Sequence, residues 1–320
     1  MKVLVFGGAG FIGSYVVDYL LEKNLASTVV VYDNFSSGRH WHLRRHGADP
    51  RLKLCEKDIY DPDIFRAAES ADLAVHLAAN PDIAKALTEP DIDFRQGTAL
   101  TQIVLEALRK GGCRHLLYAS GSGVYGDTGH ETVAENYAPM RPISTYGASK
   151  LACEALISSY CAMFDFKASA FRFGNVVGGR QTHGVAYDFL RKLRADSSRL
   201  VVMGDGHQSK PYVDVDDVVE AMFAAYRGQS AAFDAYNVAP GDFLSVREIV
   251  DIVLEEMRIP RDRCAVIYGE EDRGWKGDVP VVRLDCAKIR ALGWSNRYTS
   301  AAAMRRSVQA MLANVECAAP

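Results

Sequence analysis

None of the seven cysteines stands in a CxxC pair, and their number is odd. A structural zinc site or a disulfide framework needs paired spacings, so the expectation is a reduced, cytoplasmic protein without a metal. Charge of one sign is missing as well: 37 basic against 40 acidic residues leave a net charge of −3. There is no basic field to serve nucleic acid as a main partner. No apolar run approaches the roughly 20 residues of a membrane helix. Met1-Lys2 leads into a Val/Leu/Phe run too short for the core of a signal peptide. Internal repeats and low-complexity linkers are absent too. What remains is a 320-residue chain, 48% hydrophobic and 24% charged, which suits one large α/β unit or two closely packed domains.

The first half alternates short β-branched runs with amphipathic stretches. Val3–Phe6, Val29–Tyr32, Leu52–Cys55, Leu73–His76 and His115–Ser120 read as strands, with helices over Tyr15–Lys23 and Gly97–Arg109. Apolar strands joined by helical crossovers predict a doubly wound parallel sheet of Rossmann type. Gly111-Gly112 ends the second helix. After about Asn175 the rhythm breaks into shorter, irregular elements.

The strand Val3–Phe6 runs directly into Gly7-Gly8-Ala9-Gly10-Phe11-Ile12-Gly13-Ser14 and then a helix. Glycines at 7, 10 and 13 fit the tight turn that lets backbone N–H groups approach a pyrophosphate at a helix N-terminus. Asp33 ends the second strand, 20 residues after Gly13. A carboxylate there accepts from ribose hydroxyls and repels a 2′-phosphate, so the expected cofactor is NAD, although Arg39 stands nearby. Asp58-Ile59 follows the third strand, and two uses of Asp58 stay open: flanking the adenine or capping a helix.

Tyr146-Gly-Ala-Ser-Lys150 puts a phenol and an ammonium at i and i+4 on one helical face, where the ammonium and a nicotinamide charge stabilise phenolate and lower its pKa. Such a phenol serves as general base toward a sugar hydroxyl. Together with the glycine turn the pattern is specific, and here the chain resembles the extended short-chain dehydrogenases/reductases, in particular the nucleotide-sugar epimerase/dehydratase family. The resemblance also rests on Asp33-Asn34-Phe35-Ser36-Ser37-Gly38, His76-Leu77-Ala78-Ala79, Val124-Tyr125-Gly126 and Arg172-Phe173-Gly174-Asn175. Gly204-Asp205-Gly206, Lys210-Pro211-Tyr212, Gly277-Asp278 and Leu292-Gly293-Trp294 complete it.

The resemblance implies an NAD-binding domain over 1–175, with a returning segment near 208–238, and a substrate domain over 176–320. It implies NAD, tightly bound and recycled, held by the glycine turn together with Asp33, Asn34, Ser37, Gly38, Asp58, Ile59, Leu77, Ala78, Ala79, Phe173 and the catalytic Tyr146 and Lys150. For a UDP-sugar substrate it implies Asn175, backbone near Val185, Lys210 in place of a usual arginine, Arg273, Asp278 and Val282, the last beside the sugar 2-position. A homodimer built on the helix after Tyr146 is implied too, and the stripe Leu151, Ala155, Leu156, Ser159 reads equally as core.

Three departures stand out. Gly121 occupies the position of the family's catalytic Ser or Thr, leaving Ser120 or Ser122 as substitutes. Ser122-Gly123 replaces the Asp-Glu pair of the 4,6-dehydratases, and Phe94 replaces an asparagine. The expected activity is 4-epimerisation of a UDP-hexose or UDP-N-acetylhexosamine through a 4-keto sugar. A UDP-N-acetylglucosamine 5,6-dehydratase, or a catalytically idle NAD-binding regulator, are the alternatives. His40, His42 and His46 near Asp49 match no metal-ligand spacing, His76 reads as a core histidine, and Trp275 and Tyr298 as pocket or packing residues.

Overall fold

The computed structural model describes residues 1–314, so Cys317 lies outside the described residues. Seven parallel strands form the main sheet in the order Phe233–Val238, Lys167–Phe173, His115–Ala119, Leu73–His76, Lys2–Phe6, Thr28–Asp33, Leu52–Glu56. The first strand in sequence is central, pairing Val3 with Val29 on one side and with Leu73 on the other. Chain order reverses there, and the carboxyl ends on either side diverge into a crevice.

Period-two alternation explains why the strand sequences are apolar without interruption. Val3 and Val5 join one core cluster, with Val16, Val17 and Leu20 of the helix Phe11–Glu22 and Val218 and Met222 of the helix Val215–Gly228. Leu4 and Phe6 join the opposite one, with Val104 and Leu108 of the helix Leu100–Gly111 and Ile157 of the helix Thr145–Phe164. His76 is fully buried within the sheet, its Nε2 3.1 Å from the Thr101 hydroxyl, and burial pulls its pKa down to about 3.

A third cluster lies outside the main sheet. Phe189 and Leu193 of the helix Val185–Ala195, Val250 and Val253 of Val246–Glu256, and Met304 and Val308 of Ser300–Ala313 pack together there. A two-stranded parallel ladder, Arg199–Val202 with Ala265–Tyr268, flanks them. The long returning strand Phe233–Val238 adds to the sheet edge beside Lys167–Phe173, so the chain leaves the sheet and comes back.

One helix starts differently from the sequence expectation. The helix expected from Gly97 begins with a π-helical turn, Phe94–Ala99, then continues as Leu100–Gly111. Gly97 touches the helix Thr145–Phe164 so closely that a Cβ there would lie 2.2 Å from Ser149 Oγ. The end is as expected, with Gly112 left-handed at φ +83°. The stripe Leu151, Ala155, Leu156, Ser159 is split: Leu151 and Leu156 are half-buried against the two core clusters, Ala155 and Ser159 are exposed, and the fully buried positions are Cys153, Ile157 and Cys161.

That helix is bolted to the sheet through a buried ion pair. Arg172 Nη2 and Nε donate to the Glu154 carboxylate at 2.6 and 3.0 Å, and Ser120 Oγ donates to it at 2.5 Å. Arg172 Nη1 donates to Tyr125 Oη at 2.9 Å, and Tyr125 Oη to Asn237 Oδ1 at 2.7 Å, so the group is closely satisfied. Removing one partner strands a charge. Arg172→Met should therefore cost about 3–5 kcal/mol in urea unfolding.

Candidate active site

The crevice is one continuous cleft of about 1950 Å³ along the carboxyl ends of the central strands. At its start, Gly7 sits at φ +76°, and a Cβ on it would lie 2.8 Å from Ala78 N. A Cβ on Gly13 would lie 2.2 Å from Gly7 O, so turn and helix approach closely only as glycine. The first intrahelical bond runs from Ser14 N to Gly10 O, which leaves the N–H groups of Phe11, Ile12 and Gly13 as free first-turn donors facing the cleft. This bare, positive helix end fits a pyrophosphate.

Asp33 is buried at the end of its strand, accepting from Ala9 N at 2.9 Å and Phe35 N at 2.8 Å. Burial raises its pKa, against the lowering effect of the Phe35, Ala9 and Gly10 backbone N–H groups. The carboxylate thus ties the glycine turn to the following loop while still lining the cleft. Asn34 Nδ2 donates to Asp58 Oδ2 at 2.7 Å, and Tyr60 N to Asp58 Oδ1 at 2.9 Å. Asp58 does not cap the next helix, whose N-cap is Pro62.

Halfway along, Ser144 caps the helix that carries Tyr146 and Lys150, accepting from Gly147 N at 3.1 Å. Lys150 is 4% exposed. Its ammonium donates to Ala119 O at 2.7 Å and lies 5.0 and 5.5 Å from the ring centres of Tyr118 and Tyr146. Desolvation pulls it down to about 8. Burial pushes the Tyr146 phenol up to about 12, with Asp93 and Cys153 raising it further.

Beside the phenol the wall is bare. A Cβ on Gly121 would sit 3.8 Å from Tyr146 Cε1, in ordinary contact, at an extended backbone. Ser120 and Ser122 both line the cleft, but the Ser120 hydroxyl is committed to Glu154. The cofactor candidates Leu77, Ala78, Ala79 and Phe173 line it as well, as do Ser37 and Ile59. Gly38 lies off the wall; a Cβ there would meet Asp33 Oδ1 at 2.9 Å, so it lets the loop close over that carboxylate.

At the far end stand Asn175, Val185, Lys210, Asp278, Val282 and Trp275. Lys210 Nζ and Asp278 Oδ1 pair at 2.5 Å, so two residues expected on the substrate hold each other. Arg273 lies beside the wall and pairs with Asp272 and Asp127. Tyr298 packs under Arg306 away from the cleft. The three histidines diverge: His40 stacks on Phe35, His42 Nδ1 donates to Ala9 O, and His46 faces Asp18 and Glu22. Sequence reading missed Asn80, Gln181 and His183, all on the wall, because they sit in loops without a repeating pattern; Tyr212, read only as part of a motif, lines the wall from the short strand Tyr212–Asp214.

Residues 3–239 match the model of the NAD dependent epimerase/dehydratase family. The chain belongs to that family. A putative UDP-glucose 4-epimerase of Methanocaldococcus jannaschii is 31% identical over 98% of this chain and 99% of its own. A crystal structure of a UDP-galactose 4-epimerase superposes with a TM-score of 0.86 at 37% identity, covering 98% of this chain and 99% of that one. The dTDP-glucose 4,6-dehydratase DesIV of Streptomyces venezuelae, solved with NAD bound, gives 0.90 at 26%, covering 99% and 98%. The protein is thus an NAD-dependent enzyme of the nucleotide-sugar epimerase/dehydratase kind, with the Rossmann-type fold its sequence implies. The bare helix end and the glycine cradle fit the cofactor this family uses. Asp33→Ala removes a cleft-lining carboxylate and two backbone ties, so it should weaken NAD binding and narrow the preference over NADP, read by titration calorimetry with both.

Proposed function

We propose that this family member is a UDP-sugar 4-epimerase, acting on UDP-hexoses or UDP-N-acetylhexosamines through a 4-keto intermediate. The observation that carries the reading is the bare wall at Gly121-Ser122-Gly123 beside an intact Tyr146–Lys150 pair. A base for the C4 hydroxyl is present, while the carboxylate pair that would expel water in a 4,6-dehydratase is not. The epimerase names of the relatives support it.

Tyr146 takes the C4 hydroxyl proton, and the Lys150 ammonium stabilises the phenolate. NAD, when bound, accepts and returns the electron pair of the C4 hydrogen. With Ser120 committed to Glu154, Ser122 is the hydroxyl left to hydrogen-bond the C4 oxygen. Asn175 and Lys210, the latter held by Asp278, receive the diphosphate, and backbone near Val185 touches the base. Residues 1–175 with the segment near 208–238 form the cofactor half and 176–320 the substrate half. The exposed face with Ala155, Ser159 and Met163, the last 70% exposed, supports a homodimer through this helix. The enzyme works in the cytoplasm and keeps its NAD between turnovers.

Proton NMR of UDP-glucose and UDP-N-acetylglucosamine incubated with the enzyme should show inversion at C4 without added oxidant. Vinyl protons would instead make it a 5,6-dehydratase, and silence with NAD bound a regulator. Tyr146→Phe should lower kcat by at least about 100-fold with fold and NAD binding intact. Val282 is small, so the N-acetyl sugar should turn over at least as well as UDP-glucose, and Val282→Tyr should remove that activity first in competition assays.

A further inference from the structure

The helix Phe11–Glu22 carries a second polar group at the end opposite its dinucleotide turn. Asp18 and Glu22 stand one helical turn apart on a shared face, and Glu22 is the last residue of the helix. No basic residue occupies the last turn, so both carboxylates gather toward the negative end of the helix dipole. His46, at the end of the tight helical segment His40–His46, comes to meet them. Its Nε2 lies 3.1 Å from Asp18 Oδ1 and 3.9 Å from Glu22 Oε1, and the three atoms all fall within 4.8 Å of one another. None of the three residues lines the cleft.

The contact between Asp18 and His46 is close but unfinished. Asp18 is 8% exposed, and its Oδ1 is buried without a hydrogen-bond partner. His46 Nε2 is buried without one too, because the two atoms are near each other but not aligned for a bond. Arg180 Nη2 donates to the other oxygen, Oδ2, at 2.6 Å, as outer partners of ligating carboxylates do, and leaves Oδ1 unsatisfied. Buried polar atoms in this condition are costly and mark the place of a further ligand.

One imidazole nitrogen and two carboxylate oxygens are a donor set for a divalent transition ion. In a tetrahedral zinc site, bonds of about 2.0–2.2 Å hold the ligand atoms about 3.4 Å apart. Asp18 and His46 already stand near that spacing, and Glu22, at the exposed end of its helix, has the freedom to close on it. Its competing cation is Arg45, whose guanidinium lies 2.6 Å from Glu22 Oε1. That side chain is 63% exposed, so the pair is weak.

We infer that Asp18, Glu22 and His46 form a binding site for a divalent transition-metal ion of the zinc class, with water completing the coordination. The ion clamps the segment His40–His46 to the dinucleotide helix. His42 of that segment donates to Ala9 O of the glycine turn, so the clamp steadies the backbone that carries the turn. The role is structural and stands apart from the chemistry of the cleft.

The test uses the full chain, freed of metal by a chelator, with zinc and cobalt(II) alone as probes. The wild type should take up one equivalent of zinc in competition with a chromophoric chelator, and its unfolding midpoint should rise with zinc. Cobalt should give visible ligand-field bands without the thiolate charge-transfer band of a cysteine site. His46→Gln should weaken uptake at least about tenfold and cancel the rise. Arg45→Ala removes the competing cation at an exposed position and should tighten uptake. No uptake by the wild type, a thiolate band, or equal uptake by His46→Gln each overturns the proposal. Should His46→Gln not fold, Glu22→Gln at its exposed position takes its place, and unchanged affinity in it or in Arg45→Ala overturns the proposal as well. None of these readouts depends on Tyr146 being the base.

Discussion

An ammonium held out of water is the constraint around which the cleft is organised. Lys150 is buried at the carboxyl edge of the sheet, where desolvation works against its charge. The Ala119 carbonyl and the faces of Tyr118 and Tyr146 offset that cost. Those partners come from a sheet strand and its own helix, so the helix has to sit at one height and one rotation on the sheet. Tyr146, Lys150 and Glu154 follow at successive i,i+4 positions, with the phenol on the cleft wall, the ammonium beneath it and the carboxylate at the base. The Glu154–Arg172 pair therefore anchors the same stripe that carries the chemistry.

The opposite wall obeys a steric rule. Gly7 and Gly13 stand where any Cβ would strike backbone, and Asp33 secures the turn between them through Ala9 N. His42 supports the same turn from behind by donating to Ala9 O. The helix end so exposed offers unpaired N–H groups to one side of the cleft, and Lys150 places a positive charge on the other. Gly121 and Gly123 strip the remaining wall of side chains, which leaves space beside the phenol and moves the burden of holding a sugar oxygen to Ser122 and the main chain.

The motifs legible in the sequence are those in which chemistry follows local spacing. The glycine turn needs only strand, turn and helix in succession, and Tyr146 and Lys150 need only one helical turn between them, so both could be placed from residue order. Strand periodicity and the Gly112 stop were equally local. Contacts across long separations in the chain were not legible. The Lys210–Asp278 pair, the capture of Arg273 by Asp127, and the commitment of Ser120 to Glu154 each join elements whose meeting depends on how sheet and helices pack.

Asp93 shows the same division most sharply. As a letter in Pro-Asp-Ile-Asp-Phe it has no pattern to mark it, and only the π-helical turn, with Gly97 pressed on Ser149, brings its carboxylate to Thr145. The sequence by itself determined the doubly wound sheet, the dinucleotide turn and the phenol–ammonium pair, because backbone sterics and helical period act over a few residues. Tertiary structure decided which carboxylates reach the catalytic helix, which cations are already paired and how deeply the phenol and ammonium are buried, because burial and charge proximity exist only once distant segments are packed together.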